Sequence, residues 1–249
     1  MERRSSPKEL CRRGKGIGGD RGGNSVVNTI AVLQARMGST RLPGKVMLDL
    51  LGAPLLARVI RRAQGIPGIG PVVVATTTAE RDHPILDLAK HYGAEAFAGS
   101  EEDVLDRYYW AAKQFQADII IRLTADCPLL DPGISARVVE RFAQGDLDYA
   151  CNTLPPTFPD GLDTEVFSFT ALERAWREAR LASEREHVTP YIWKNPDNFR
   201  SANVRNSVDL SALRWTVDEA GDLEFVRAVY ARLFRENQPW NIALWEGPD

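Results

Sequence analysis

Three cationic side chains lie close together in one glycine-rich segment, and their spacing is suited to binding phosphate. Arg36, Arg41 and Lys45 follow a short apolar run that begins at Ile30. Glycine lets backbone N–H groups approach phosphate oxygens closely, and the arginine fork binds two such oxygens at once. We therefore predict a phosphate-binding loop at the end of a buried strand. The small residues that would leave room for the ligand are Gly38, Ser39 and Gly44.

Two aspartates follow later apolar runs. Asp126 comes after IIIRLTA, and Asp218 comes after LRWTV. In a parallel sheet, residues that follow strands gather at one edge, where ligands bind. Two carboxylates beside three cations suggest Mg²⁺ with a polyphosphate, since Mg²⁺ binds through one or two carboxylates and substrate phosphates. The alternative that each aspartate only caps a helix stays open.

These residues require a scaffold of alternating strands and helices. Helix signals occur at Pro54, at Asp82 or Pro84, and at Ser100, which we expect to cap a helix. This alternation predicts an α/β fold with a three-layer, mostly parallel sheet. The strand candidates are Ile30–Gln34, Val72–Thr76, Glu95–Ala98, Asp118–Leu123, Asp148–Asn152, Glu165–Phe169, Ser201–Val204 and Leu213–Val217.

Composition excludes several classes of protein. The chain has 249 residues, 44% of them hydrophobic, and no apolar stretch near the length of a membrane span. We expect a cytoplasmic protein that binds neither membranes nor nucleic acid. Residues 1–28 contain six glycines and carry a net charge of +4, which predicts a disordered basic tail. The remaining residues 29–249, predicted to form a single domain, carry −7, which disfavours a broad nucleic-acid surface.

A series of segments, in order over roughly residues 29 to 235, resembles the spore coat polysaccharide biosynthesis type of cytidylyltransferase. This type is a branch of the family that includes the CMP-sialic acid and CMP-KDO synthetases. The resemblance implies a Rossmann-like fold of the nucleotide-diphospho-sugar transferase type, CTP and a small sugar-like acceptor as substrates, Mg²⁺, and a homodimer. The matching segments are QARMGSTRLPGK, VVVATT, GSEEDVLDRYYWAA, RLTADCPLLDP, NTLPPTFPDGLDTEVFSF, SEREHVTPYIWK, LRWTVDE and DLEFV.

The resemblance also implies roles for individual residues. Asp126 and Asp218 would hold the metal, an arrangement carried over from the KDO-type relatives only, and together with Arg36 and Lys45 they form the implied catalytic set. The implied nucleotide-binding set is Ala35, Arg36, Gly38, Ser39, Arg41, Lys45, Thr76, Ser100 and Asp103.

Polar residues in an otherwise apolar region indicate where the acceptor binds. Residues 150–208 contain them and would also contribute the dimer interface. The candidate acceptor residues are Asp160, Asp163, Glu165, Arg185, Glu186 and His187. For His187, a place in the charged first turns of a helix is an equally good interpretation.

Together with these residues, the resemblance implies an enzyme that activates an acidic or phosphorylated sugar-like acceptor with CTP, for cell-surface polysaccharide or glycan biosynthesis, and that releases pyrophosphate. Two alternatives stay open. One is a glycosyltransferase that consumes a nucleotide sugar and uses the D-x-D letters at Asp146 and Asp148. The other is a nucleotide-binding module without turnover.

Overall fold

The computed structural model describes residues 27–234. Residues 1–26 and 235–249 lie outside the described residues, so the predicted tail stays a prediction over almost all of its length. Asn28, the last residue of that predicted tail, forms hydrogen bonds with residues that precede the strand Ile119–Thr124. The side-chain amide of Asn28 donates to the carbonyl oxygens of Phe115 (2.8 Å) and Gln116 (3.0 Å), and its backbone N–H donates to Asp118 Oδ2 (2.8 Å). Asn28, which belongs to the predicted tail, is therefore bound to the turn before that strand.

Within residues 27–234 the chain forms seven strands and eight α-helices. The strands are β1 (Thr29–Gln34), β2 (Val72–Thr77), β3 (Glu95–Gly99), β4 (Ile119–Thr124), β5 (Tyr149–Cys151), β6 (Glu165–Ser168) and β7 (Ser201–Asn203). The helices are α1 (Leu55–Gln64), α2 (His83–His91), α3 (Val104–Gln114), α4 (Pro132–Ala143), α5 (Phe169–Glu178), α6 (Ala182–His187), α7 (Pro190–Trp193) and α8 (Ala220–Leu233). None of these described helices is long and apolar enough to cross a membrane.

The strands form one sheet in the order β3-β2-β1-β4-β6-β5-β7. Strand β6 runs antiparallel to both of its neighbours, β4 and β5, and every other pairing is parallel. The carboxyl ends of the six parallel strands therefore lie at one edge of the sheet, which we call the carboxyl edge. Because β6 is reversed, its first residue, Glu165, lies at that edge too.

Both faces of the sheet are buried, which confirms the predicted three-layer α/β architecture. In β1, Ala31 and Leu33 pack with α1 and α8 on one face. Ile30 and Val32 pack on the other face, among residues of α3 and α5. Successive side chains of a strand point to opposite faces, so a strand covered on both sides has to be apolar throughout. This is why β1 reads as a continuous apolar run.

The prediction of a last strand over Leu213–Val217 is wrong. The described backbone there forms one isolated bridge, between Asp160 and Arg214. The N–H of Trp215 donates to the carbonyl oxygen of Asp160 (2.6 Å), and the N–H of Val217 donates to that of Asp126 (2.8 Å). The segment therefore pairs with two loops rather than with a strand of the sheet.

The prediction that Ser100 caps a helix is also wrong. Its Oγ accepts a hydrogen bond from the backbone N–H of Asp103 (3.0 Å). Asp103 is the cap, because its Oδ1 accepts from the N–H of Asp106 (2.9 Å), and α3 begins at Val104. The helix thus starts later than predicted, and Asp103 stands directly before its first turn.

Candidate functional site

The loop after β1 folds back on itself and forms one wall of a cleft. The carbonyl oxygen of Met37 accepts hydrogen bonds from the N–H groups of Ser39 (2.9 Å) and Gly44 (3.1 Å). Gly44 has a φ of 67°, a value that suits glycine. The loop ends in a single 3-10 turn, Lys45–Met47, and α1 begins only at Leu55. No α-helix therefore starts directly behind the loop.

We call this cleft, of about 270 Å³, the first cleft. It lies at the carboxyl edge, between the ends of β1 and β4. The structure thus brings together seven of the residues selected from the sequence. These are Ala35, Arg36, Gly38, Ser39, Arg41, Lys45 and Asp126.

Lys45 connects the loop to both predicted metal ligands. Its Nζ donates to Asp126 Oδ2 (2.9 Å), to Asp218 Oδ1 (2.8 Å) and to the carbonyl oxygen of Val217 (3.0 Å). Burial by itself would lower the pKa of Lys45, but the charges and hydrogen bonds of the two aspartates outweigh burial and raise that pKa. Lys45 is therefore held as a cation between two carboxylates.

Asp218 forms ion pairs with two arginines in addition to Lys45. Its second carboxylate oxygen lies 2.8 Å from Arg214 Nη2 and 3.1 Å from Arg41 Nη2. Burial would raise the pKa of Asp218, but Lys45, Arg41 and Arg214 lower it on balance. Asp222 fixes the backbone at this point by accepting from the N–H of Asp218 (2.8 Å). Asp218 is accordingly an ionised carboxylate in a fixed position.

The donor set at Lys45 fits a magnesium ion. Asp126 and Asp218 converge on one cation, here the ammonium of Lys45. In the part of the chain that the structure describes, no group of three or more His, Cys, Asp or Glu residues could hold a metal ion. A pair of carboxylates is nevertheless sufficient for Mg²⁺, which fills its remaining positions with water and phosphate oxygens.

A second cleft, of about 570 Å³, adjoins the first. Arg36 lines both clefts, and within residues 27–234 it forms no hydrogen bond or ion pair with another residue. Asp103 also lines the second cleft, and Ser100 lies beside it. Thr76 is fully buried and lines neither cleft, and no described residue pairs with its hydroxyl. Other residues of the second cleft are Arg81, Glu101, Arg185 and Glu186.

The six candidate acceptor residues do not form one cluster. Asp160 lies at the Asp218 side, where its carboxylate is 3.7 Å from Arg214 Nε. Glu165 is buried and accepts hydrogen bonds from Tyr149 Oη and Thr189 Oγ1 (2.6 Å each), besides its ion pair with Arg122. Arg185 and Glu186 lie across the second cleft, and His187 is exposed and lines neither cleft. The predicted set is therefore divided among separate places.

Asp163 has an unusual environment for a carboxylate. Its side chain reaches solvent two residues before β6, yet enough protein lies around it to desolvate the carboxylate. Desolvation, followed by repulsion from Asp160 and Glu165, raises the pKa of Asp163 to about 7. The pKa of Asp160 is also raised, mainly by burial; Arg214 opposes this shift, and repulsion from Asp126, Asp218 and Asp222 adds to it. These two carboxyl groups therefore take up protons more readily than ordinary aspartates.

The D-x-D letters lie away from both clefts. Asp148 directly precedes β5, which runs parallel to β4, so the pair lies at the edge of the sheet opposite to the carboxyl edge. Asp146 forms an ion pair with Arg200, and Asp148 Oδ2 accepts from the backbone N–H of Arg200 (2.8 Å). This placement removes the observation that favoured a glycosyltransferase.

Sequence reasoning missed two arginines of the site. Arg214 lies four residues before Asp218 and binds it. Arg122 lies four residues before Asp126, and its Nη2 donates to Oε1 of Gln34 (3.4 Å), a residue that lines the first cleft. A cation inside the apolar run of a strand was the available signal for Arg122. Its burial requires a partner, and Glu165 supplies it.

Comparison with known proteins places these features in a family context. Residues 30–236 match the family model described as cytidylyltransferase. The chain is 40% identical over 197 residues to an uncharacterised protein of Methanocaldococcus jannaschii, with 78% of this chain and 80% of that protein covered. It is 33% identical over 210 residues to the spore coat polysaccharide biosynthesis protein SpsF of Bacillus subtilis, with coverages of 81% and 85%.

A solved structure agrees with this result. A cytidylyltransferase from Leptospira borgpetersenii superimposes with a TM-score of 0.80 at 36% identity, and the match covers 84% of this chain and 89% of that one. The match confirms the fold predicted from the sequence, the Rossmann-like fold of nucleotidyltransferases.

Proposed function

Since the chain belongs to the cytidylyltransferase family, we propose that it transfers the cytidylyl group of CTP to a sugar-like acceptor and releases pyrophosphate. The observation that carries this proposal is the position of Lys45. It joins a glycine-rich cationic loop to two aspartates at the carboxyl edge of the sheet. The edge is where open α/β sheets bind their ligands.

The first cleft suits a triphosphate. Arg36 and Arg41 offer planar forks to the phosphate oxygens, and Lys45 offers a point charge at the base of the loop. In the proposed reaction, an acceptor oxygen forms a bond to the α-phosphorus. The bond from that phosphorus to the bridging oxygen breaks, pyrophosphate leaves, and the acceptor proton passes to solvent. The protein contributes orientation and charge stabilisation rather than a covalent intermediate.

We further propose that Asp126 and Asp218 hold Mg²⁺. When bound, the ion would neutralise charge on the phosphates as it builds up during the displacement. Lys45 would keep the two carboxylates converged in the absence of the ion, because its Nζ lies within hydrogen-bond distance of both.

We assign the nucleoside to the second cleft. This cleft shares Arg36 with the first cleft, so a ligand whose phosphates lie in one can extend into the other. Asp103 offers a carboxylate at its wall, which can accept hydrogen bonds from ribose hydroxyl groups or from an exocyclic amine.

The acceptor would bind on the opposite side of the first cleft, beside Asp160 and Asp163. We propose an acidic or phosphorylated sugar, because Arg214 lies at this side beside Asp160 and can bind an anionic group. The name of the SpsF relative, spore coat polysaccharide biosynthesis protein, supports a role in making surface glycans.

Thermal stabilisation tests the nucleotide half of the proposal. A ligand that binds only the native state raises its melting temperature. We expect CTP to raise the melting temperature more than UTP, GTP or ATP, and Mg²⁺ to increase the shift. A panel of acidic and phosphorylated sugars, assayed for pyrophosphate release, then tests turnover. Absence of any CTP shift would contradict the proposal, and CTP binding without pyrophosphate release across the panel would contradict the acceptor class.

A further inference from the structure

Four residues close a ring of hydrogen bonds around the start of α3. Arg185 donates to Asp103 Oδ2 from Nε (2.8 Å) and Nη2 (2.5 Å), and from Nη1 to the carbonyl oxygen of Trp176 (2.7 Å). The indole N–H of Trp176 donates to Asp106 Oδ1 (2.8 Å). The backbone N–H of Asp106 donates to Asp103 Oδ1 (2.9 Å), which completes the ring.

The ring determines where the Asp103 carboxylate points. One oxygen is bound by the helix N-terminus and the other by the fork of Arg185, so the side chain cannot rotate without breaking a charge-assisted hydrogen bond. Asp103 nevertheless keeps 31% of its side-chain surface exposed, and it lines the second cleft. A fixed carboxylate with free acceptor capacity therefore faces that cleft.

Arg185 is the member of the ring that reaches across the second cleft. It lies in α6, which is 82 residues away from Asp103 in sequence, and its side chain is only 22% exposed. All three of its nitrogen atoms are used inside the ring. Arg185 is therefore directed at Asp103 and Trp176, and not at the acceptor side as the sequence suggested.

We infer that Arg185 is a positioning residue for the nucleoside, acting through Asp103 rather than by touching the nucleotide. This inference rests on the proposed function, since it assigns the second cleft to the nucleoside of CTP. Arg185 holds Asp103 where the carboxylate accepts from hydrogen-bond donors of the ribose or the base. The triphosphate, which lies in the first cleft, does not depend on Arg185.

The test compares two probes on purified full-length variants. Isothermal titration measures the Kd of CTP and of inorganic tripolyphosphate, which lacks the nucleoside. We expect Arg185→Met to weaken CTP binding about tenfold, the scale of one lost charge-assisted hydrogen bond, and to leave tripolyphosphate binding unchanged. Arg177→Met is the matched control. Arg177 pairs with Glu173 on α5 (2.9 Å) and lines neither cleft, so both Kd values should stay at the wild-type level.

A double-mutant cycle with Asp103→Ala separates positioning from direct contact. If Arg185 acts through Asp103, adding Arg185→Met to Asp103→Ala should change the CTP affinity by less than twofold. Independent, additive losses would overturn the inference, as would an unchanged CTP Kd or an equal loss for both probes in Arg185→Met. If Arg185→Met does not fold, Arg185→Lys decides, because it keeps the charge and loses the fork. Failure of wild type to bind CTP would instead reject the proposed function itself.

Discussion

At the scale of single residues, the site is a balance between carboxylates and cations. Lys45 is 12% exposed and contacts two aspartates, so removing Lys45 would leave Asp126 without its ion-pair partner among the described residues. The presence of these groups could be predicted from residue type and spacing. Their pairing could not, because Lys45 and Asp218 are 173 residues apart and no local pattern relates them.

Asp126→Asn should lower turnover by about 10²- to 10³-fold, because it removes the charge of one of the two carboxylates proposed to hold Mg²⁺. Steady-state pyrophosphate release measures the loss, and circular dichroism checks that the fold is kept. Asp146→Asn is the control, since Asp146 is exposed and pairs with Arg200 at the opposite edge. Wild-type turnover in Asp126→Asn would remove Asp126 from the proposed Mg²⁺ site.

Asp163 predicts a dependence of stability on pH. Its pKa is about 7 in the folded state and near 3.8 in the unfolded chain, so the folded state binds the proton more tightly. This contribution is complete below about pH 4 and is lost as the pH rises to 7. Asp163→Asn should therefore melt higher than wild type above pH 7, by a small amount because solvent reaches the side chain. Melting curves from pH 4 to 8 measure the difference. A gap that widens toward acid would contradict the assignment.

At the scale of elements, the carboxyl edge depends on loops that pair with each other. The loop before β6 and the Leu213–Val217 segment share backbone hydrogen bonds, through which Asp160 and Asp218 are held on one side of the cleft. Gly161 makes this approach possible. Its φ is 106°, and a Cβ there would lie 2.8 Å from the backbone N of Thr216.

Gly161→Ala should accordingly lower the free energy of unfolding by about 2 kcal/mol, because alanine is strained at this φ and collides with backbone. Urea denaturation measures it. Gly221→Ala is the matched control, since it lies in α8 with no atom within 4 Å of the added Cβ. That variant should be neutral or gain up to about 1 kcal/mol. Equal effects of the two substitutions would show that the loop contact is not tight.

The elements themselves differ in how far the sequence determines them. Strands β1, β2 and β4 are apolar runs bounded by turn residues, so their presence followed from composition. The reversal of β6 did not, because its four residues carry no signal of direction. Leu213–Val217 has the alternation of a strand, but its backbone bonds with loops whose positions depend on the whole sheet.

At the scale of the whole molecule, Asn28 holds the beginning of the described chain against the rest of the fold. Its side chain and backbone close the turn between α3 and β4. The sequence predicted a tail that ends at residue 28, since composition changes gradually there and cannot reveal a long-range hydrogen bond.

Two truncations test this boundary. Deletion of residues 1–26 should leave the melting temperature and CTP affinity unchanged. Deletion of residues 1–28 should lower the free energy of unfolding by about 1–3 kcal/mol, because it leaves Asp118 and two carbonyl oxygens without Asn28. Differential scanning calorimetry compares them. Indistinguishable truncations would mean that the Asn28 bonds contribute nothing, and a large loss in the shorter deletion would show that the predicted tail is structural.

The contact between Lys45 and Asp218 also has a consequence for biosynthesis. All seven strands of the sheet are complete by Asn203, yet Asp218 and the carbonyl oxygen of Val217, two of the three Lys45 partners, come later in the chain. A nascent chain that has already formed its sheet on the ribosome therefore still lacks half of its proposed metal ligands. Under the proposed function, turnover would begin only when Asp218 has emerged, so translation products that end before it would not consume CTP.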